Sequence, residues 1–219
     1  MQVPFQIQTE NRMIYNPLMK SSYMFVPGIM GLVLMIICTI MTSVSIVREK
    51  ERGTMEVLLA SPLKQGTMIF AKTIPYMIIS FVDFLIILIL SYFILGVPVN
   101  GSLLLLFLVA IIYITLTLTY GLTVSTLVEK QVNAVIVSAI TAMIPVLMLS
   151  GMIFPIDNMP GVLQAFSAIV PARWFIDAVR KVMIQGQGLM MVWKELLVLV
   201  GMTLSLLGIT IINTKKRLA

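Results

Sequence analysis

The side chains best able to do chemistry or make specific contacts are concentrated in one short stretch. Six of the 24 charged residues fall within residues 48–56, where REKERGTME alternates basic and acidic side chains. The chain has no histidine, and its single cysteine, Cys38, lies in an apolar run, so an intrachain disulfide and a transition-metal site are not expected. No apolar run pairs a nucleophile with a base, so the pattern favours protein contacts over catalysis.

One further ionisable residue lies inside an apolar run. Asp83 sits near the middle of residues 73–95 and is the only charged residue there. An ionisable side chain at membrane depth indicates a functional site by default. The other apolar runs offer hydroxyl partners such as Thr117 and Ser138, so a structural hydrogen bond between helices is an equal alternative to a place on a transport path.

A third stretch nearly matches a nucleotide-binding motif. GTMIFAKT, residues 66–73, differs from the phosphate-binding pattern G-x-x-x-x-G-K-[ST] by Ala71 in place of the second glycine. That pattern needs a preceding strand, whereas this run opens an apolar helix. Lys72 is better interpreted as an interfacial side chain that reaches the lipid headgroups. We therefore expect this chain to bind neither ATP nor any other cofactor.

The composition indicates an all-α integral membrane protein. Hydrophobic residues make up 59% of the chain and charged residues 11%, whereas soluble domains carry about 25% charged residues. A helix needs about 20 mostly apolar residues to cross a bilayer, and open strands cannot leave their backbone facing lipid. We predict five spans, at residues 24–47, 73–95, 103–128, 132–154 and 196–214.

The basic residues of the loops predict the orientation. If residues 48–72 are cytoplasmic, that side holds nine lysines and arginines and the other side six. The C-terminus is then cytoplasmic and residues 1–23 lie outside. This N-terminal segment lacks the apolar core of a signal peptide, and Val3, Phe5 and Ile7 alternate as in a strand. We expect it to be the remnant of an extracytoplasmic domain in a truncated chain, with an unusual short tail as the alternative, and residues 24–219 to be the transmembrane domain.

The charged stretch itself predicts a short amphipathic helix. Met55, Leu58 and Leu59 share one helical face, and Glu49, Arg52 and Glu56 share another. One interpretation is an interfacial helix that only anchors the topology. A protein-docking element fits better, because alternating signs suit anionic lipid poorly and Gly53 weakens a surface helix.

A second segment is too polar to span the membrane. Residues 155–188 carry apolar side chains at near-helical spacing on both sides of Pro171. This predicts two short amphipathic helices, broken at Pro171, that dip into the outer leaflet. Trp174 would then lie at the level of the headgroups.

Three stretches carry a family resemblance that covers nearly the whole chain. NPLMKSSYMFVPGIMGLVL, REKERGTMEVLLASPLKQGTMIFAK and LSGMIFPIDNMPGVLQAFSAIVPARWFIDAVRKVMIQG resemble the ABC-2 type exporter permeases, which are membrane subunits of ATP-binding cassette transporters. Full members have six spans with a large extracytoplasmic domain after the first. In the third stretch the matching residues are Pro155, Pro160, Pro171 and Arg180.

The resemblance implies partners and roles. Residues 48–59 correspond to the coupling helix that docks on a separate ATP-binding subunit, which holds ATP and Mg²⁺. The docking residues would be Arg48, Glu49, Glu51, Arg52, Gly53, Met55, Glu56, Leu58 and Leu59. The loop of residues 129–131, with Glu129 and Lys130, would make a secondary contact or form a plain turn.

The implied assembly pairs this permease with a second permease in the inner membrane of a prokaryote. It would be an exporter driven by ATP hydrolysis on the partner subunit. The competing hypothesis is a secondary transporter or channel that works through Asp83.

Overall fold

The fold is a bundle of helices. The structure is a computed structural model that describes residues 20–53 and 65–218, with side chains for all of these except 65–72 and 213–218. Within these residues it contains seven α-helices: α1 Ser22–Glu51, α2 Gln65–Phe93, α3 Leu103–Leu127, α4 Gln131–Leu149, α5 Gly161–Ser167, α6 Pro171–Val179 and α7 Leu189–Leu218. A 3₁₀ turn, Ile156–Asn158, precedes α5, and a π-helical turn, Arg180–Ile184, extends α6.

Five of the described helices are long and apolar enough to cross a membrane, which confirms the predicted all-α class. They are Ser22–Glu51, Thr73–Phe93, Leu103–Leu127, Gln131–Leu149 and Leu189–Ile212. The last helix begins at Leu189, before the predicted residue 196. Lys194 and Glu195 interrupt the apolar run in the sequence, but they do not interrupt the helix. The cost of burying the Glu195 carboxylate is offset by an ion pair with Lys181 of the π-helical turn.

Helices α1 and α3 form the centre of the bundle. Both are about half buried along their spans, whereas α2, α4 and α7 expose most of theirs. The two central helices approach closely at Gly121, where an added Cβ would lie 2.7 Å from the carbonyl oxygen of Thr39. A glycine at a helix crossing allows the backbones to make van der Waals contact, which drives helix association inside lipid.

Helix α6 belongs to the core. The ring of Phe175 stacks on that of Tyr113, with centroids 4.0 Å apart and planes 13° from parallel, and both side chains are fully buried. The Tyr113 hydroxyl donates to the carbonyl oxygen of Gly31 at 2.8 Å. These contacts join α1, α3 and α6.

The hydroxyl of Tyr113 gives a first prediction. Tyr113→Phe should lower the free energy of unfolding by about 1 kcal/mol, because the Gly31 carbonyl oxygen loses its side-chain donor in a buried site while the ring stacking is kept. Thermal unfolding of the detergent-solubilised protein measures this. Tyr92→Phe, at an exposed tyrosine of α2, is the control and should leave the melting temperature unchanged.

The bundle has two chemically different ends. We call the end formed by residues 48–53 and 128–131 the charged-turn end, and the opposite end, formed by residues 150–188, the hairpin end. The hydroxyls of Thr123 and Thr210 lie 2.8 Å apart, which places the C-terminal half of α7 beside that of α3, at the charged-turn end. The loops predicted to share one side of the membrane therefore lie at one end of the bundle.

Candidate functional site

The charged turn begins as a continuation of the first membrane helix. Residues 48–51 form the last turn of α1, where the sequence predicts the start of a separate helix over residues 48–59. The helix continues because no glycine or proline lies between Gly31 and Gly53, and Arg48 and Lys50 complement the negative end of the helix dipole. Gly53 then takes a φ of 69° and its N–H bonds to the carbonyl of Lys50, which ends the helix.

This turn presents charges of both signs. Arg48, Glu51 and Arg52 are exposed, and Glu49 and Lys50 are half-buried. The other residues assigned to docking, Met55, Glu56, Leu58 and Leu59, lie outside the described residues. The apolar face of the coupling helix therefore stays a prediction.

The loop between α3 and α4 lies directly against the charged turn. The backbone N–H of Gln131 donates to Glu51 Oε1 at 3.0 Å, and the Gln131 side-chain nitrogen donates to Glu51 Oε2. The Gln131 side-chain oxygen accepts from Arg48 Nε at 3.3 Å. Glu129 and Lys130, the predicted secondary contact, are exposed beside it. The structure thus brings the two predicted contact regions onto one surface.

A further contact fixes this surface to α3. The Lys50 ammonium donates to the backbone carbonyl of Ser125, near the end of α3. The last turn of α1 is therefore held by α3 and by the first residue of α4. Alternating exposed charges on such a fixed turn suit a protein partner, because complementary charges set orientation and register more than affinity.

Asp83 lies away from this surface, on α2 within the bilayer-spanning part. Its side chain is half-buried and near Cys38 of α1, whose thiol donates to Ser80 at 3.1 Å, one helical turn before Asp83. Within the part of the chain that the structure describes, no hydrogen bond or ion pair reaches the Asp83 carboxylate. Asp83 therefore marks a polar position between α1 and α2.

At the hairpin end, α5 and α6 are separate helices with a bend of 84° between them. Pro171 occupies the first turn of α6, as its fixed φ and missing N–H favour, so the predicted break lies at this residue. Pro155 and Pro160 are exposed on the approach to α5. How deeply the pair enters the bilayer stays a prediction.

Two of the predicted residues secure this hairpin. Arg180 Nη2 donates to the carbonyl of Gly151 at 3.0 Å, which ties the end of α6 to the segment after α4. Trp174 Nε1 donates to the carbonyl of Ala168 at 2.9 Å across the bend. These bonds give the hairpin a fixed shape at the end of the bundle opposite the charged turn.

Residues 2–212 match the model of a family described as ABC-2 family transporter protein. The chain belongs to the ABC-2 transporter family. This confirms the resemblance drawn from the three sequence stretches, over nearly the whole chain. No solved structure matches the chain.

Several curated relatives of this ABC-2 family member are named as permeases. The probable multidrug ABC transporter permease YbhS of Escherichia coli (strain K12) is 36% identical over 212 residues, covering 97% of this chain and 56% of the relative. YbhR of the same strain, also named a probable multidrug ABC transporter permease, is 32% identical, covering 83% of this chain and 49% of the relative. ABC transporter G family member 20 of Dictyostelium discoideum is 26% identical, covering 96% of this chain and 29% of the relative. The chain spans about half the length of the two curated bacterial relatives named here.

Sequence reasoning missed two parts of this ABC-2 domain. The contact of Gln131 with Glu51 was missed, although the loop of residues 129–131 was predicted to contact the partner, because only the packing of α4 on α1 brings Gln131 to Glu51. The ion pair of Lys181 with Glu195, at 2.7 Å, was missed because the last span was predicted to begin after Glu195. The signal available was an acidic residue within one turn of an apolar run, which in a membrane protein calls for a basic partner.

Proposed function

We propose that this chain is the membrane permease of an ABC-type exporter, in which a separate ATP-binding subunit hydrolyses ATP and drives export. The observation that carries the proposal is the exposed charged turn at the end of the central helix α1, held to α3 and α4 by Lys50, Glu51 and Arg48. Membership of the ABC-2 family and the names of the permease relatives support it.

The mechanism follows from the position of this turn. The charged-turn end faces the cytoplasm, and the ATP-binding subunit docks on Arg52 and the residues that follow it up to residue 59, with Glu129 and Lys130 at the edge of the contact. ATP and Mg²⁺ bind to that subunit. When ATP closes two such subunits, force reaches the membrane only through an element that is rigid and touches both partners. Because α1 is continuous from the turn to the core, it carries this movement to the centre of the bundle.

The transporter contains a second permease, which completes the path for the exported compound. Helices α2, α4 and α7 expose long rows of apolar side chains, which gives surfaces for both lipid and this second subunit. The protein lies in the inner membrane of a prokaryote, with its C-terminus on the cytoplasmic side. The names of YbhS and YbhR favour drug-like compounds as the cargo.

Reversing charge on the turn tests the docking. Arg52→Glu should weaken binding of the ATP-binding subunit to the solubilised permease about tenfold, because an exposed contact charge of the wrong sign repels its partner. The measurement is the dissociation constant of the co-expressed ATP-binding subunit, at low and at high salt.

The control is Lys194→Glu, which makes the same charge change at an exposed lysine near the start of α7, beside the hairpin end. It should bind the subunit as the wild type does. Equal affinity of Arg52→Glu and wild type at low salt would show that the subunit does not dock on this turn.

A further inference from the structure

The start of α4 is capped by another helix. The residue before it, Lys130, makes no side-chain capping bond, although the first N–H groups of a helix have no partner within it. The N–H of Gln131 instead donates to the carboxylate of Glu51, at 3.0 Å. A negative side chain at this position also interacts favourably with the positive end of the helix dipole. Glu51 of α1 thus supplies the cap of α4.

The side chain of Gln131 completes this contact. Its amide nitrogen donates to the second carboxylate oxygen of Glu51, and its amide oxygen accepts from Arg48 Nε. Arg48 and Glu51 are three residues apart and so lie on one face of α1. A neutral amide can donate to a carboxylate and accept from a guanidinium at the same time. We call the contacts among Arg48, Glu51 and Gln131 the α1–α4 latch.

A second contact joins the same helices deeper in the membrane. The hydroxyls of Ser43 and Ser138 lie 2.7 Å apart, and both side chains are fully buried. Ser138 belongs to the buried row of α4, which recurs every four residues: Ala134, Ser138, Ala142 and Val146. The opposite face exposes Ile136, Ile140 and Ile144. Helix α4 is therefore held through one face, and the latch lies where that face meets the charged turn.

We propose that Gln131 is a positioning residue that makes α1 and α4 move as one body when the ATP-binding subunit acts on the charged turn. This inference rests on the proposed function. The subunit needs no contact with α4, because a movement of Glu51 and Arg48 displaces Gln131 and with it the exposed apolar face of α4. The latch passes movement on and does not itself bind the partner.

An exchange of the two side chains tests the latch. Gln131→Glu brings a second carboxylate against Glu51, whereas Glu51→Gln combined with Gln131→Glu restores one carboxylate and one amide with their places exchanged. The matched control is Gln187→Glu at the hairpin end. Each variant is reconstituted in liposomes with the ATP-binding subunit. Binding of that subunit and its permease-stimulated rate of ATP hydrolysis are then measured.

We expect Gln131→Glu to bind the subunit within about twofold of wild type. The stimulation of ATP hydrolysis should fall about tenfold, which is the size of change in rate that the loss of a hydrogen bond to a charged group can cause. The double variant should recover most of the stimulation, and Gln187→Glu should keep all of it. Rescue by exchange is not expected if Glu51 contacts the subunit directly, because the double variant moves the charge to residue 131.

Three outcomes overturn the inference. Full stimulation by Gln131→Glu shows that the latch does not transmit movement. Loss in both Gln131→Glu and the double variant shows that the place of the Glu51 charge matters, as in a docking residue. If wild-type permease binds no ATP-binding subunit and stimulates no hydrolysis, the proposed function itself fails, and the role of Gln131 with it.

Discussion

Replacing Lys181 with methionine should destabilise the protein by about 3 kcal/mol, the lower end for removing one partner of a buried ion pair, because the Lys181 side chain is 32% exposed. Glu195 is 4% exposed, and its Oε1 accepts from Lys181 Nζ at 2.7 Å. Its other carboxylate oxygen is buried and makes no hydrogen bond, so Lys181 is the partner that stabilises the charge. Methionine keeps the length of the side chain and removes only the ammonium, with its bonds to Glu195 and to the carbonyl oxygen of Met191.

The measurement is the thermal unfolding of detergent-solubilised protein. Lys181→Met combined with Glu195→Leu should recover most of the lost stability, since an apolar pair can replace a buried ion pair at little cost. Lys194→Met, next to Glu195 on the exposed side of α7, is the control; it removes the cation–π contact with Trp174, at 5.9 Å from the ring centroid, and should lower the melting temperature far less than Lys181→Met. A single variant as stable as wild type would show that the pair does not hold the π-helical turn to α7.

The second large effect is expected at the crossing of α1 and α3. Gly121→Leu should lower the free energy of unfolding by about 3 kcal/mol, at the upper end for overpacking, because the first atom added meets backbone. The carbonyl oxygen of Thr39 would lie 2.7 Å from the new Cβ, and the Thr42 side chain 2.9 Å from it. Since backbone cannot rotate away, α1 and α3 must separate.

Gly201→Leu on α7 is the matched control for this change. A Cβ added at Gly201 meets no atom of the described structure within 4 Å, so this variant should be as stable as wild type or slightly more stable. The amount of folded protein recovered from membranes and its melting temperature report both changes. If the two leucine variants were equally stable, the close approach of α1 and α3 at Gly121 would be contradicted.

The class of the protein and its number of spans could be predicted from the sequence, because hydrocarbon thickness and backbone hydrogen bonding leave few alternatives. The break at Pro171 could be predicted for a local reason, since proline favours the first turn of a helix. The boundary after Val47 was less predictable. The predicted span ended at Val47 because charged residues begin at Arg48. Charged residues end an apolar run but need not end a helix, and α1 continues to Glu51.

The contacts of the candidate site could not be predicted in the same way. Gln131 lies 80 residues from Glu51, and their meeting depends on the antiparallel packing of α4 on α1. The sequence after residue 131 gives no sign of this packing, because the buried face of α4 consists mostly of small residues, which are common in any membrane-spanning helix. The charged turn was found from its pattern, whereas its attachment to α3 and α4 required the structure.

The attachment changes how Glu51 is interpreted. The resemblance places it among the residues that dock on the ATP-binding subunit, but both of its carboxylate oxygens already bind Gln131. Arg52, exposed and one residue further on, is in a better position to meet a partner. We therefore assign transmission to Glu51 and Gln131, and docking to Arg52 and the residues after it.

Transport into liposomes tests the central claim most directly. The permease and its ATP-binding subunit are reconstituted together, and movement of ethidium, a drug-like probe, is followed with ATP or with an imposed proton gradient. The account predicts transport that requires ATP hydrolysis, persists in Asp83→Asn and is lost in Arg52→Glu. Transport driven by the gradient without ATP, and abolished by Asp83→Asn, would contradict it and favour a secondary transporter that works through Asp83.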